Sequence, residues 1–337
     1  MAKNVVSPLR LLKLPEKVIH EVLCNLEINE AISFSLCSQK TKNLFHSLKQ
    51  YKVENLKMRI CTEVRIHGIF NGMDCYFVFN KNPIPQIGRS YVKDMRQSEM
   101  LYLCMNITKF EWRNRGFDVG DWIKHLLFIF NQASLIELYI ASNSVVWSLD
   151  SLCRTIQGIE TYKLFFAFLV PDYNFRSIMD TVRNFRAIVL RRNPFENKLD
   201  LQKVLMQNLD SIKCHRLDLD DVLICNSLII FCIVPNIKQK GLNRLLKLFI
   251  FGAMPRLKHL RFVYMNRFSG PLQEETVMKG ITYTVQEPNV IRTFRESPAS
   301  EEINIRGGFD FQRADGTKAT VILLDGDAKS FDIFVWD

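Results

Sequence analysis

The histidines and the short glycine motifs of a chain are the first places where chemistry would show. None of the six histidines belongs to a His-Glu-x-x-His or comparable metal-ligand pattern. The chain also has no phosphate-binding loop, no Gly-x-Ser-x-Gly and no Gly-x-Gly-x-x-Gly. We therefore expect no catalytic site, no metal and no cofactor. The histidines are His20, His46, His67, His125, His215 and His259.

Two local clusters come closest to chemistry, and both have a simpler interpretation. Asp218, Asp220 and Asp221 could be imagined as metal ligands, but acidic residues where a strand leaves a sheet more often accept hydrogen bonds from turn amides. Cys214 and His215 are chain neighbours on a predicted strand, where consecutive side chains point to opposite faces. They make a poor nucleophile–base pair, and we expect the protein not to be an enzyme.

The cysteines indicate a compartment rather than a site. Their number, nine, is odd, their spacing is irregular and no Cys-x-x-Cys occurs, so neither a disulfide framework nor a zinc site is expected. Cysteines scattered through apolar segments are typical of a reducing compartment, where they pack as small core residues. We therefore expect a cytoplasmic and/or nuclear protein. The nine are Cys24, Cys37, Cys61, Cys75, Cys104, Cys153, Cys214, Cys225 and Cys232.

Length and composition are those of a globular chain with room for two domains. The chain has 337 residues, of which 47% are hydrophobic and 24% charged, and a domain commonly takes about 150 residues. No apolar stretch near the N-terminus resembles a secretory signal. The most apolar segments, 162–171 and 222–235, are shorter than the roughly 18 residues that cross a bilayer. We interpret them as buried strands and expect no membrane association.

The N-terminal part of the chain predicts three short helices. The first covers Pro15 to Leu26, with Pro15 at the first helical position, where its missing N–H would have no partner. The second is expected near 29–37 and the third near 41–51. So small a bundle is weakly stable alone and usually packs on a partner or on the next domain. The apolar face of the first helix consists of Val18, Ile19, Val22, Leu23 and Leu26.

These helices resemble an F-box, the short motif that binds the Skp adaptor of cullin-RING ubiquitin ligases. The resemblance rests on Leu14-Pro15, the apolar pairs that follow, Ile32 and the segment Leu36-Cys37-Ser38. It implies a Skp-type adaptor, and through it a cullin-RING ligase, as partner. Later apolar positions would divide between that interface and the core of the bundle. The alternative is a helical bundle that only caps the next domain. The expected adaptor-binding residues are Leu14, Pro15, Val18, Ile19, Val22, Leu23, Ile32, Leu36 and Leu44.

A β-hairpin is predicted directly after the helices. In 63–80, two strand-like runs flank Asn71-Gly72, a dipeptide that suits a type I′ turn because both positions need a positive φ. The segment 81–90 holds two prolines and a glycine and is expected to be a loop or boundary. The expected domains are an F-box at 8–52, a hairpin and connecting segment at 53–95, and a larger domain at 96–337.

The larger domain alternates helices with short apolar strands. The centres Leu138, Leu164, Ile188, Leu217 and Leu260 lie 26, 24, 29 and 43 residues apart, and the last interval contains an extra strand. The first three intervals fall within the roughly 20–29-residue period of leucine-rich repeats. The pattern predicts a divergent, leucine-rich-repeat-like β/α array; an irregular single α/β domain is the alternative. The predicted helices are 121–131, 149–157, 175–184, 199–208 and 241–252. The predicted strands are 136–142, 162–169, 186–192, 215–221, 227–234 and 257–264.

The C-terminal part changes to strands in which apolar and polar residues alternate. Turns at Asp315-Gly316 and Asp325-Gly326 divide 303–337 into a three-stranded antiparallel meander. The polar segment 287–302 before it is expected to be a mobile loop. These features predict an α/β fold, α+β overall, in which a three-helix F-box precedes the β/α array and the meander closes the domain.

Two blocks, 240–262 and 309–336, resemble the F-box-associated domain, type 2, of the expanded F-box families of nematodes. The most specific parts are Leu242-Asn243-Arg244, the segment PRLKHL and the run that starts at Arg313. Phe249-Ile250 departs from the Trp-containing pattern of that family. The resemblance implies the substrate-recognition subunit of a Skp–cullin–F-box ubiquitin ligase, which binds an unknown target protein through its C-terminal domain.

Two other functions remain open from the sequence: an interaction protein without ligase function, and a basic solenoid that binds nucleic acid. The second is suggested by the formal charge of +10. However, the densest basic stretch, 238–261, alternates its cations with apolar residues, and no nucleic-acid-binding motif accompanies it. A solvated helix face is the simpler explanation, and the sequence argues against nucleic acid as a partner.

Overall fold

A computed structural model gives the chain as two compact units. The first consists of Met1–Leu138 and Asn143–Thr161, and the second of Tyr139–Ser142 and Tyr162–Asp337. No helix in the described part of the chain is long and apolar enough to cross a membrane. The structure describes residues 11–49, 51, 53–79, 95, 100–105, 108–142, 144, 147–168, 170, 172–195, 197–265, 271–296, 300–325 and 328–336.

The three predicted N-terminal helices form, with slightly different bounds. A 3-10 turn, Leu11–Lys13, precedes them. Pro15 is extended (φ −55°, ψ 143°), so it flanks the first helix instead of being its first residue. Its carbonyl accepts hydrogen bonds from the N–H groups of Val18 and Ile19 at 2.9 and 3.0 Å. The helices of the first unit are α1 (Glu16–Cys24), α2 (Ile28–Ser35), α3 (Gln39–Leu48), α4 (Val119–Ile129) and α5 (Leu149–Ile156).

The strands of the first unit pair in the order β6-β1-β2-β3-β4-β5. They are β1 (Val53–Ile60), β2 (Val64–Phe70), β3 (Met73–Phe79), β4 (Met100–Met105), β5 (Thr108–Arg113) and β6 (Leu135–Ile140), the last two residues of which belong to the second unit. The predicted hairpin is confirmed, because β2 and β3 are antiparallel around Asn71 and Gly72, with φ of 50° and 76°. Strands β1, β4 and β5 were not predicted. The expected loop 81–90 lies outside the described residues.

The second unit contains the predicted array of parallel strands. Strands β7 to β11 lie side by side in chain order, and the pairs from β7–β8 to β10–β11 are parallel. Right-handed crossovers in this order place the connecting helices on one side of the sheet. The elements are β7 (Thr161–Phe166), α6 (Asp172–Thr181), β8 (Ala187–Leu190), α7 (Lys198–Leu205), β9 (Ser211–His215), α8 (Leu219–Ile224), β10 (Ile229–Ile233), α9 (Gln239–Ile250) and β11 (His259–Met265).

The predicted strand 215–221 is wrong. Strand β9 lies earlier and ends at His215, because Arg216 adopts a left-handed conformation with φ 59°. Residues from Leu219 on form α8 instead. Asp218 caps this helix: its Oδ1 accepts the N–H of Asp221 at 2.9 Å, and Asp221 Oδ2 accepts the N–H of Asp218 at 3.2 Å. The acidic residues thus start a helix rather than end a strand.

The predicted C-terminal meander is confirmed, whereas the loop expected at 287–302 is wrong. Strands β15, β16 and β17 are antiparallel neighbours, and β17 continues antiparallel to β11. Within the expected loop lies β13, which pairs with β14 at the start of the segment predicted as the meander, and Phe294 packs in an apolar cluster with Ile305 and Phe334. The remaining elements are α10 (Glu274–Val277), β12 (Thr284–Val285), β13 (Ile291–Arg295), β14 (Glu302–Arg306), β15 (Phe309–Gln312), β16 (Lys318–Leu324) and β17 (Ala328–Val335).

Candidate functional site

Helix α1 presents two apolar pairs in different directions. Val18 and Val22 are four residues apart, on one line along the helix, and are 40% and 37% exposed. Ile19 and Leu23 are each one position further, about 100° round the helix, and are 8% and 0% exposed. The helix therefore has an inner pair that packs within the first unit and an outer pair that reaches the surface.

The residues before α1 extend its outer side. Leu14 is half-buried and Pro15 is exposed. The N–H of Leu14 donates to Leu11 O at 3.0 Å and closes the turn that leads into the helix. Leu12, which was not predicted, is 39% exposed; its signal in the sequence is the apolar run of leucines before Pro15. We call Leu12, Leu14, Pro15, Val18 and Val22 the outer surface.

The other predicted contact residues lie in or near the core. Ile32 is fully buried, whereas Leu36 and Leu44 are half-buried. Ile19, Leu23 and Ile32 are buried, so they can affect a partner only by positioning the exposed residues that pack on them. The contact of all nine residues with an adaptor stays a prediction. Those of the nine that are exposed or half-buried are Leu14, Pro15, Val18, Val22, Leu36 and Leu44.

Side chains at the helix ends fix this arrangement. Ser38 begins α3 because its Oγ accepts the N–H of Thr41 at 3.2 Å, while Thr41 Oγ1 accepts the N–H of Ser38 at 2.9 Å. At the start of α2, Glu30 Oε2 accepts the N–H of Glu27 at 2.9 Å. These reciprocal bonds satisfy amides that have no partner inside the helix.

Tyr51 closes the bundle from below. Its hydroxyl donates to the carbonyl oxygens of Leu23, at 2.9 Å, and of Leu26, so it satisfies the C-terminal end of α1. Its ring lies 4.5 Å from that of Phe45 and 5.9 Å from that of Phe70 between centroids. Burial, followed by the nearby Cys24 and Glu30, raises the pKa of Tyr51 to about 12, so the hydroxyl keeps its proton.

Polar contacts join α2 and α3 to the rest of the first unit. Ser35 Oγ in α2 lies 2.9 Å from His125 Nε2 in α4. Trp112 Nε1–H in β5 donates to Ser33 Oγ at 2.8 Å. The His46 ring stacks on Phe128, with centroids 4.1 Å apart, and its Nδ1 is 2.8 Å from the Phe128 carbonyl oxygen. The bundle is thus bonded to α4 and β5 on its inner side.

The acidic cluster and the Cys214-His215 pair, which came closest to a chemical site in the sequence, are accounted for by the fold. Asp218 and Asp221 form the cap of α8, and Lys198 Nζ lies 2.7 Å from Asp218 Oδ2. Cys214 is buried and His215 half-buried on opposite faces of β9, as predicted for chain neighbours on a strand. Across the described residues, no group of three or more His, Cys, Asp and Glu side chains could hold a metal ion.

Comparisons with known proteins find matches in both parts of the chain. The family model described as "F-box domain" matches residues 11–53, and the one described as "F-box associated" matches residues 200–262. The chain is 22% identical over 321 residues to the F-box associated domain-containing protein sdz-33 of Caenorhabditis elegans, and the alignment covers 94% of each chain. No solved structure is significantly similar to the chain. Both resemblances described from the sequence are confirmed.

Proposed function

We propose that this chain, which carries an F-box domain and an F-box associated domain, is the substrate-recognition subunit of a Skp–cullin–F-box ubiquitin ligase. An F-box is a protein–protein interaction domain that typically binds a Skp-type adaptor. The proposal assigns adaptor binding to the N-terminal helices, predicted at 8–52, and target binding to the domain predicted at 96–337. We also propose that the β/α array of that domain is a divergent form of leucine-rich repeat.

The observation that supports the proposal is the apolar outer surface of the N-terminal helices. The inner pair of α1, by contrast, is buried within the first unit. Val18 and Val22 expose apolar area beside Pro15, while Ile19 and Leu23 are buried in the chain's own fold. Apolar side chains that protrude together on one helix face are typical of a helix that packs into an apolar groove of a partner. The adaptor would cover this surface, and its contact would rest on apolar burial more than on ion pairs.

The mechanism we propose is positional and forms no covalent bond on this chain. F-box and F-box associated domains are typical of non-catalytic adaptor proteins. A target held by the C-terminal domain and an adaptor held by the F-box become parts of one complex. Lysines of the target then encounter the ubiquitin-charged carrier at a high effective concentration, which replaces a slow bimolecular encounter.

Capture by a purified Skp-type adaptor tests the proposal. We expect the Leu14→Ala/Pro15→Ala variant to lose at least about tenfold in adaptor affinity, equivalent to about 1.4 kcal/mol. The loss follows because truncation removes apolar area from the outer surface and frees the backbone that Pro15 restrains before α1. The measurement is a titration of immobilised adaptor with the full chain.

Leu199→Ala/Met206→Ala is the matched control, since it removes two exposed apolar side chains from and beside α7 in the second unit, 60% and 54% exposed. It should bind the adaptor like the wild type. Undiminished capture of the Leu14→Ala/Pro15→Ala variant, or no capture of either form, would contradict the proposal. Adaptor capture without ubiquitin transfer to any co-purifying protein would instead support an interaction protein without ligase function.

A further inference from the structure

The parallel strands of the second unit have one covered face and one half-exposed face. Phe166 points to the helix side, where its ring lies 3.8 Å from that of Phe175 in α6. Side chains one position away along each strand point to the opposite side. In β9 and β10 the burial alternates strictly: Ile212, Cys214, Ile230 and Cys232 are buried, and the residues between them are half-exposed.

The strand register lines up a row on this face that consists of aromatic and cationic side chains and the buried Val189. Phe165 pairs with Val189, Val189 with Lys213, Lys213 with Phe231 and Phe231 with Arg261. Phe165 is followed on β6 by Tyr139, whose ring stacks on it at 4.5 Å. We call the following residues the cationic face: Lys163, Phe165, Arg191, Lys213, Phe231 and Arg261.

Three of the four cations of this face lie near its rings. Lys213 Nζ is 4.2 Å from the centroid of the Phe231 ring. The guanidinium of Arg191 is 5.5 Å from the Phe165 ring, and Lys163 Nζ is 6.0 Å from the same ring. Such cation–π contacts hold the long side chains down on the sheet, so their charges are presented in fixed positions.

The positive charges are close enough to act on one another. Burial, followed by the charges of Arg191, Lys163 and Arg261, lowers the pKa of Lys213. Burial, then Arg191, Lys213 and Arg216, lowers the pKa of His215 beside it. The carboxylate of Asp332 lies at one end, where its Oδ1 is 3.5 Å from Arg261 Nε and 3.2 Å from His259 Nε2.

We propose that the cationic face binds an acidic, extended segment of the target protein. This inference rests on the proposed function and names the chemistry of the target. Carboxylates of such a segment would meet Lys213, Arg191 and Arg261, and apolar side chains between them would meet Phe231 and Phe165. The attraction follows because a partner of opposite charge relieves the mutual repulsion of the cations.

The dimensions of the row fit such a segment. The row from β7 to β11 spans four strand spacings, or about 19 Å at about 4.8 Å each. An extended peptide that crosses the strands covers this distance with about six residues. Each ring has at least one cation beside it, at 4.2 to 6.0 Å from its centroid, so an incoming group meets positive charge next to an aromatic surface. This arrangement favours carboxylates over bases, which would need bare rings for stacking.

Fluorescence anisotropy with the full chain, measured without and with the adaptor, tests the inference. The probes are a labelled peptide of alternating Glu and Tyr, the same peptide with Gln in place of Glu, and a single-stranded oligouridylate of similar length. We expect the acidic peptide to bind with an affinity that falls as salt rises, and the Arg191→Glu/Lys213→Glu variant to bind it at least about tenfold more weakly. The Gln peptide should bind no better to the wild type than to the variant.

Lys240→Glu is the control, because Lys240 is exposed on α9, on the helix side of the sheet. It should leave peptide affinity within about twofold of the wild type. Thermal unfolding shows whether each variant is folded, and Arg191→Gln/Lys213→Gln serves if charge reversal unfolds the chain. Equal binding of the Glu and Gln peptides, no effect of either double variant, or binding of the oligonucleotide alone would overturn the inference.

The two proposals fail separately. Normal adaptor capture without binding of the acidic peptide leaves the proposed function standing and removes the inference. Peptide binding that the Arg191→Glu/Lys213→Glu variant loses, in a chain that captures no adaptor, supports the cationic face and removes the proposed function.

Discussion

His125 shows how one buried side chain joins the F-box to the unit that carries it. The Ser35 hydroxyl donates its proton to the carbonyl oxygen of Ile32, with an Oγ–O distance of 2.7 Å. His125 must therefore donate from Nε2 to Ser35 Oγ, at 2.9 Å, and its neutral form bears no proton on Nδ1. Nδ1 is buried and has no hydrogen-bond partner among the described residues. A second proton there would be a buried charge with nothing to accept it.

Acid should therefore weaken the first unit through His125. Burial, followed by the charge of Lys42, lowers the pKa of His125 from 6.5 to about 4. Because the folded-state pKa is depressed, the contribution to the free energy of unfolding is complete above pH 6.5 and falls as the pH drops toward 4, by up to about 3 kcal/mol. Urea unfolding of the wild type and His125→Gln at pH 7 and pH 5 measures it.

The variant should start less stable at pH 7 and lose less on acidification. His20→Gln, on the exposed side of α1, should keep the wild-type profile. The same pH dependence in wild type and His125→Gln would contradict the assignment.

The outer surface was partly predictable at this scale. The sequence pattern places the four apolar residues of α1 on one face, and an isolated helix gives no reason to divide them. The division into Val18/Val22 and Ile19/Leu23 comes from packing against the other helices and Tyr51, which are distant in the chain. The sequence therefore indicated the helix face, whereas which of its residues reach the surface follows only from the packing.

At the scale of elements, the failed predictions share one cause. The run RLDLDD alternates apolar and polar residues, a pattern typical of strands, but Asp218 and Asp221 can cap a helix and Arg216 takes a positive φ. In the segment of β13, charged residues indicated a loop, although the strand pairs with β14 along its whole length and buries Phe294. The alternating apolar and polar patterns are short in both segments. Helix caps and charged residues nearby therefore make the choice between strand, helix and loop ambiguous from the sequence.

The cationic face could not have been found from the sequence alone. Its members stand on separate strands, and each strand shows only one or two cations among apolar residues. The strand register brings Phe165, Lys213, Phe231 and Arg261 into one row. Register is set by contacts between distant residues, so local spacing carries no signal of it.

Gly308 provides a test of the C-terminal sheet. It has φ of 100°, and an added Cβ would lie 2.4 Å from Ile322 Cδ1 and 2.8 Å from Val321 O. We expect Gly308→Ala to lower the free energy of unfolding by at least about 3 kcal/mol, from backbone strain and overpacking together. Chemical unfolding of the full chain gives the value.

Gly72 is the matched control in the hairpin turn of the first unit. It also has a positive φ, 76°, but an added Cβ would meet no heavy atom within 4 Å. Gly72→Ala should cost only about 1 kcal/mol, the conformational part alone. Equal losses for the two variants would show that the close approach at Gly308 is relieved without cost.

At the scale of the whole molecule, the F-box helices are part of a larger unit. Ser33, Ser35 and His46 bond to β5 and α4, and Tyr51 packs on Phe70 of β2. A fragment of residues 8–52 loses all these contacts, and so small a chain buries too little apolar area to fold alone. We expect it to be mostly unfolded by circular dichroism, and a fragment of residues 8–161 to be folded.

Addition of the adaptor should raise the helix content of the 8–52 fragment, because binding stabilises the folded form by mass action. A cooperative thermal transition of the isolated fragment would instead show that the contacts with β5 and α4 are dispensable for its fold.

The two apolar pairs of α1 also bear on how such a chain can evolve. Ile19 and Leu23 pack in the interior of their own molecule, so selection for folding restricts their replacement. Val18 and Val22 contribute little to that interior, and their selection depends on whatever covers them. One short helix thus carries two nearly independent constraints, offset by a single residue. Substitution at the outer pair can change or abolish an interaction while leaving a folded protein free to acquire another.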